Sequence, residues 1–165
     1  LEKKQSFSHD QQIKWHLIGN LQRRKVKLII NEIDYFHALD SLRLAQEIQK
    51  RAEHPIHCFI EVNVSGEESK HGLKPEELHS FVEELEKLDK VYVVGLMTMA
   101  PYDASQQEVR TIFSTLKKLQ VSVKEKNLQY APCTELSMGM SQDFKTAIEE
   151  GATFVRIGTA LFRKG

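Results

Sequence analysis

Glu135-Leu136-Ser137-Met138-Gly139-Met140-Ser141-Gln142-Asp143-Phe144 and, soon after it, Phe154-Val155-Arg156-Ile157-Gly158-Thr159-Ala160 are two strand-to-helix turns in succession. Each turn carries a glycine and one or two hydroxyls. An anion is held by backbone N–H donors, by the close approach that glycine permits and by a hydroxyl where a helix begins. Read singly, Ser141 is equally well explained as a helix N-cap and Gly158 as a tight-turn residue. Two such turns on consecutive strands favour a phosphate seat. Arg156 stands two residues before Gly158, inside an apolar strand. A guanidinium is always charged, so an inward-facing strand position demands an acceptor. That acceptor is either a structural carboxylate or a ring nitrogen or phosphate of a ligand.

Outward from these turns, short apolar or β-branched runs alternate with amphipathic helical patterns along the chain. The strands expected are Lys14–Gly19, Leu28–Ile33 with an extension toward Leu39, His57–Val64, Val91–Ala100, Cys133–Ser137 and Phe154–Ile157. Helices are expected over 41–53 behind Asp40 as N-cap, over 75–88 and 105–126 from their apolar stripes, and over 142–150 between Ser141 and Gly151. This βαβα alternation predicts an α/β fold with a parallel sheet and helices outside it. No linker, repeat or composition shift divides residues 1–165, which read as one domain. Six strands fall short of the eight in a (β/α)8 TIM barrel, which typically needs about 250 residues, so arithmetic alone favours an open sheet. Barrels, however, place phosphate sites after their last two strands. On that reading the chain enters at the third strand and lacks the first two βα units.

The composition narrows the function. The chain has 165 residues, with 23 Lys plus Arg against 23 Asp plus Glu and a net charge of zero. It shows neither the basic stripe of a nucleic-acid binder nor the basic amphipathic face of a membrane-surface protein. Its apolar runs are far shorter than the ~20 residues that span a bilayer, and no signal peptide is visible at its start. Cys58 and Cys133 lack metal-ligand spacing and read as buried reduced thiols in a cytoplasmic protein.

The remaining polar segments are ambiguous taken alone. Trp15-His16-Leu17-Ile18-Gly19-Asn20 runs from a strand into a polar turn and places His16 and Ile18 on one face. A lone strand histidine is more often a core residue than a catalyst. Val62–Gly72 leaves a strand as a long polar loop, and Gly95–Pro101 ends one in sulfur and small side chains. His9, His37, His54, His57 and His79 form no constellation and read as structural or exposed, and Arg23-Arg24-Lys25 reads as a solvated helix face.

Taken in order, WHLIGNLQ (15–22), VNVSGEESKHG (62–72), GLMTMAP (95–101), ELSMGMSQDF (135–144) and VRIGTALF (155–162) resemble the pyridoxal phosphate homeostasis family, the YggS/YlmE/PROSC-like proteins. The resemblance covers essentially the whole chain. It implies a barrel of the alanine racemase N-terminal type that binds pyridoxal 5′-phosphate and buffers or delivers it without clear catalysis. It also implies a cytoplasmic monomer with pyridoxal-phosphate-dependent apo-enzymes as recipients. By motif, Ser137, Gly158 and Thr159 hold the phosphate, Arg156 meets the pyridine nitrogen, His16 lies near the ring and Met138 belongs to the cofactor-binding set. A permanently charged donor at that nitrogen makes the ring a weaker electron sink than an Asp would. Two features depart from the family pattern. The first-strand VAVSK segment with its Schiff-base lysine and the GEN segment ending the second strand have no counterpart, so that lysine is expected in an N-terminal segment this chain lacks. The tail Phe162-Arg163-Lys164-Gly165 also differs from the usual Phe-Gly ending. Lys14 and Lys70 are substitutes by position only.

Two other readings compete. An amino-acid racemase of this barrel type needs a second base, supplied in alanine racemases by a Tyr, and a C-terminal β domain; nothing in the sequence makes Tyr102 or Tyr130 such a base. A phosphosugar-type barrel enzyme lacks an evident catalytic Glu or Lys at a strand end.

Overall fold

The computed structural model describes residues 13–68 and 71–162. His9, Lys70 and the tail Arg163–Gly165 lie outside them. Six strands, β1 (His16–Leu17), β2 (Tyr35–Leu39), β3 (Ile56–Glu61), β4 (Val91–Met97), β5 (Glu135–Met140) and β6 (Phe154–Arg156), pair in chain order, and every pair is parallel. Between them run α1 (Arg23–Ile29), α2 (Leu42–Arg51), α3 (Leu78–Glu84), α4 (Gln106–Lys124) and α5 (Phe144–Glu149), and the single turn α6 (Thr159–Phe162) follows β6.

The strand order answers the question of open against closed winding. A doubly wound sheet reverses its order at a switch point, and this sheet never does. Right-handed crossovers then set every helix on one side, which leaves the other face free to curl inward. Phe154 on β6 reaches His16 on β1, with ring centroids 5.7 Å apart. Likewise the His37 ring of β2 bonds the Ser137 hydroxyl of β5 at 2.8 Å. The sheet is a curled half-barrel.

Strand pleating separates two chemistries. On β2 and β3, Phe36, Ala38, Ile56, Cys58 and Ile60 join one apolar core with Val26 and Ile30 of the first helical segment and Ala45 and Ile48 of α2. The opposite, concave face carries rings: Tyr35 lies flat on His16 at 4.3 Å, His37 stacks on Phe59 at 4.3 Å, and Phe154 meets both edgewise or tilted. Cys58 and Cys133 are buried free thiols, and burial pushes the Cys133 thiol up to about 12.

Several element boundaries differ from the sequence reading. The run Leu28–Ile33 is not a strand; it belongs to α1 and a 3-10 turn over Ile30–Glu32, and the strand is Tyr35–Leu39. The cause is helical spacing. Val26 and Ile30 are fully buried one turn apart, while Leu28 is 61% exposed. Ser41, not Asp40, caps α2, its hydroxyl accepting from the Leu44 amide, and Asp40 instead accepts from the Gly72 amide. The fifth strand begins at Glu135 and continues to Met140; Cys133 precedes it at φ +48°, its amide still donating to the Val93 carbonyl at 3.2 Å.

Gly95 marks the tightest approach between strands. A Cβ there would lie 2.1 Å from the Glu135 carbonyl oxygen and 3.0 Å from the Phe59 ring. Both obstacles are fixed, so Gly95→Ala is expected to cost at least the ~1–3 kcal/mol typical of overpacking. Gly19→Ala, with no atom within 4 Å of the added carbon, should leave stability near wild type. Thermal unfolding of the two variants side by side checks this.

Candidate functional site

The two turns singled out in the sequence meet. The Gly158 amide donates to Ser141 Oγ at 3.3 Å, which joins the end of β5 to the end of β6. Gly139 makes this geometry available. It adopts φ +101° inside β5, where the β5–β6 register shifts, and a Cβ there would strike that of Ala147 at 2.6 Å. The bulge turns Met140 and Ser141 outward, and the Met140 amide donating to Asp143 Oδ1 at 2.7 Å fixes the turn.

A cavity of about 470 Å³ opens at this junction, within the size range of small-molecule sites. Ser141, Gly158 and Thr159 line one side, His16, His37, Phe154 and Arg156 another, and Ile18, Met99 and Met140 contribute apolar wall. A larger groove of about 590 Å³ lies outside it, between Pro101–Val109 and the start of α5. It shares Ser141 but has no buried cation, and the smaller cavity is the better candidate.

Arg156 dominates the electrostatics. It is 8% exposed; Nη2 donates to the Thr98 carbonyl at 2.9 Å, while Nε and Nη1 are buried with no partner. Burial lowers it to about 10 against the pull of Asp143 and Glu61, so it stays charged near neutral pH. Glu61, 3% exposed at the end of β3, also has an unpartnered oxygen, Oε1. Burial and then Asp40 raise its carboxyl, opposed by His71 and Arg156. An unpaired buried donor is costly, so the two unpartnered nitrogens of Arg156 identify a place where an acceptor would be stabilised.

The sequence-derived residues divide into two groups. His16, Arg156, Gly158 and Thr159 border the cavity. Ser137 and Met138 are fully buried instead: Met138 sits in the apolar core, and Ser137 lies beneath the cavity, bonded to His37. The hydroxyl on the cavity side of that motif is Ser141.

His37 is the residue the sequence reading passed over. Its Nε2 is 2.8 Å from His16 Nδ1 and its Nδ1 is 2.8 Å from Ser137 Oγ. Burial, then His16 and Arg156, hold it down to about 3, so it is neutral; His16 is lowered by burial, against Asp34. The available signal was the period-2 spacing of Tyr35 and His37, hidden by assigning the strand to the preceding apolar run. Among the described residues, no group of three His, Cys, Asp or Glu side chains is placed to hold a metal, and no helix is long and apolar enough to cross a membrane.

Known proteins resemble this chain in sequence and fold. The alanine racemase N-terminal domain family matches residues 6–164. The pyridoxal phosphate homeostasis protein of Aquifex aeolicus is 46% identical over 97% of this chain and 71% of its own. PipY of Synechococcus elongatus PCC7942, solved with pyridoxal phosphate bound, superposes with a TM-score of 0.85 at 28% identity, over 98% of this chain and 76% of that one. An alanine racemase from Corynebacterium glutamicum, 15% identical with a TM-score of 0.69 over 98% of this chain and 44% of its own, shares the fold. The chain belongs to the alanine racemase N-terminal domain family and, within it, to the pyridoxal phosphate homeostasis proteins.

The depressed His37 makes folding pH-dependent. Between the ordinary histidine range and about 3, the unfolded chain binds a proton that the folded chain refuses, so stability is lost as pH falls. Glu61, raised, acts in the opposite sense across the carboxylate range. The urea midpoint is therefore expected to fall between about pH 7 and about pH 5, and to fall less steeply in His37→Phe, which keeps the stack on Phe59.

Proposed function

We propose that this protein binds pyridoxal 5′-phosphate and keeps or passes it on, without turning over a substrate of its own. The observation that carries this reading is Arg156, a buried cation with Nε and Nη1 unpartnered at the floor of the cavity bordered by Gly158, Thr159 and Ser141. That combination suits a ligand with a phosphate at one end and a heteroaromatic acceptor at the other. Relatives carry the homeostasis name, and PipY was solved with the same cofactor.

Each residue has a definite task in this reading. Ser141 and Thr159 supply hydroxyls and Thr159 a backbone N–H to the phosphate, while the Gly158 amide donates to Ser141 Oγ and orients it; a one-turn helix adds little dipole, so these local donors matter most. Gly158 has open space where a side chain would begin, which lets a ligand approach the backbone. Arg156 donates to the ring nitrogen and keeps its own proton, since a guanidinium held at about 10 gives up none near neutral pH. When bound, the cofactor supplies an electron-accepting ring, and a donor-only arginine leaves that capacity weak. His16 stands beside the ring. Ser137 acts through His37, and Met138 supports the turn from the core.

Among the described residues, the cavity offers no tyrosine of the kind that serves alanine racemases as second base, which favours holding over racemisation. Tyr102 is 86% exposed beside the outer groove. Among the described residues no lysine lines the cavity, and we place the covalent lysine in the part of the relatives that this chain does not cover. The greater length of those relatives likewise supports reading the six strands as the last six of an eight-stranded barrel. The two buried thiols fit a cytoplasmic setting, and apo-enzymes that require the cofactor are the natural recipients.

Equilibrium titration with pyridoxal 5′-phosphate, followed by its visible absorbance, is expected to saturate and to be competed by inorganic phosphate. Losing a hydrogen bond to a charged group costs about 1.5–3 kcal/mol, so Arg156→Gln should weaken binding about tenfold to a hundredfold. Thr159→Ala should raise the phosphate needed for competition. Unaltered binding in both variants, or sustained interconversion of alanine enantiomers, contradicts the proposal.

A further inference from the structure

Ser137, His37 and His16 form a continuous hydrogen-bonded chain from the interior of β5 to the cavity, through two contacts of 2.8 Å each. Packing fixes both rings. His37 is stacked on Phe59 with 19° between planes, and His16 lies on Tyr35 with 3° between planes. A half-turn of either ring about Cβ–Cγ would keep its stack but put carbon where these contacts need nitrogen, so the hydrogen bonds select this orientation.

The proton positions then follow from one end. Ser137 is fully buried, and its hydroxyl has His37 Nδ1 as its partner. A buried O–H that donates to nothing is costly, so Ser137 donates and His37 Nδ1 accepts. A neutral imidazole has one N–H, which in His37 must be on Nε2, donating to His16 Nδ1. His16 Nδ1 is thereby an acceptor, and its remaining nitrogen must carry the proton. An imidazolium at His16 would set its Nδ1–H against the Nε2–H of His37, donor facing donor.

We propose that the buried Ser137 hydroxyl, acting through His37 as a positioning residue, fixes His16 as the neutral tautomer protonated on Nε2, so that the cavity is offered a hydrogen-bond donor in place of a cation. Identifying the acceptor as an oxygen of a pyridoxal ring rests on the function proposed above; the proton arrangement does not. The charged groups around this chain pull in different directions. Asp34, preceding β2, favours a charged His16, whereas burial opposes it, and Arg156 on β6 disfavours charge on His37. The serine relay adds to the second group.

Long-range proton–nitrogen NMR of the full chain labelled with 15N-histidine tests this. Wild-type His16 and His37 are both expected with Nδ1 bare and Nε2 protonated at neutral pH. In Ser137→Ala, His37 is free to move its proton to Nδ1, and His16 can then protonate and donate to it. Its titration should shift upward by about one pH unit, a tenfold gain in proton affinity, and Ser137→Thr should restore it. A wild-type His16 protonated on Nδ1, or charged at neutral pH, overturns the proposal, as does a Ser137→Ala titration that superimposes on wild type. The wild-type spectrum decides the matter even if the alanine variant does not fold. It is recorded without ligand, so failure to bind pyridoxal 5′-phosphate would remove the ligand reading and leave the tautomer result standing.

Discussion

A permanently charged side chain buried inside a curled sheet is the constraint around which the rest is arranged. Arg156 lines the concave face from β6 and, among the described residues, finds one protein acceptor, the Thr98 carbonyl. Thr98 is itself pinned, its hydroxyl donating to the Val62 carbonyl at 2.7 Å. The nearby carboxyl of Glu61 contributes charge but leaves Oε1 unpaired. A buried cation with spare donors costs free energy in the empty protein. Strain of that kind persists where a ligand recovers it, and the function proposed above seats that ligand's anionic end at the adjoining turns.

The monotonic strand order explains how so short a chain brings these groups together. Because successive strands add in one direction and curl, residues from β1, β2, β5 and β6 face a common interior despite their separation in sequence. His37 and Ser137 are 100 residues apart and hydrogen-bonded. An open, doubly wound sheet would have placed a single crevice at its switch point. Here the convergence of strand ends makes the site, and the aromatic stacks on the concave face keep it rigid.

Much of this was legible in the residues. Gly139, Ser141, Arg156 and Gly158 stood out because each breaks the apolar rule of a buried strand or the steric rule of a turn. The amphipathic stripe of α4 was equally plain, since Val109, Ile112, Phe113 and Leu116 recur at helical spacing and are all buried. What failed was any judgement that depends on where a strand starts. The apolar run Leu28–Ile30 straddles a helix end, and misassigning it hid His37, whose importance comes from a partner on a distant strand. The two serines of one motif take different places, Ser137 buried beneath the cavity and Ser141 on its wall, and the positive φ of Gly139 between them is not legible in the residue types alone.

The most direct measurement of the central claim is a crystal structure of the chain soaked with pyridoxal 5′-phosphate. The account predicts density for the phosphate against the Thr159 amide and the Ser141 and Thr159 hydroxyls, with the ring nitrogen accepting from Arg156. A ligand seated elsewhere, or an Arg156 that turns away to pair with Glu61 while the ring nitrogen goes unmet, would contradict it.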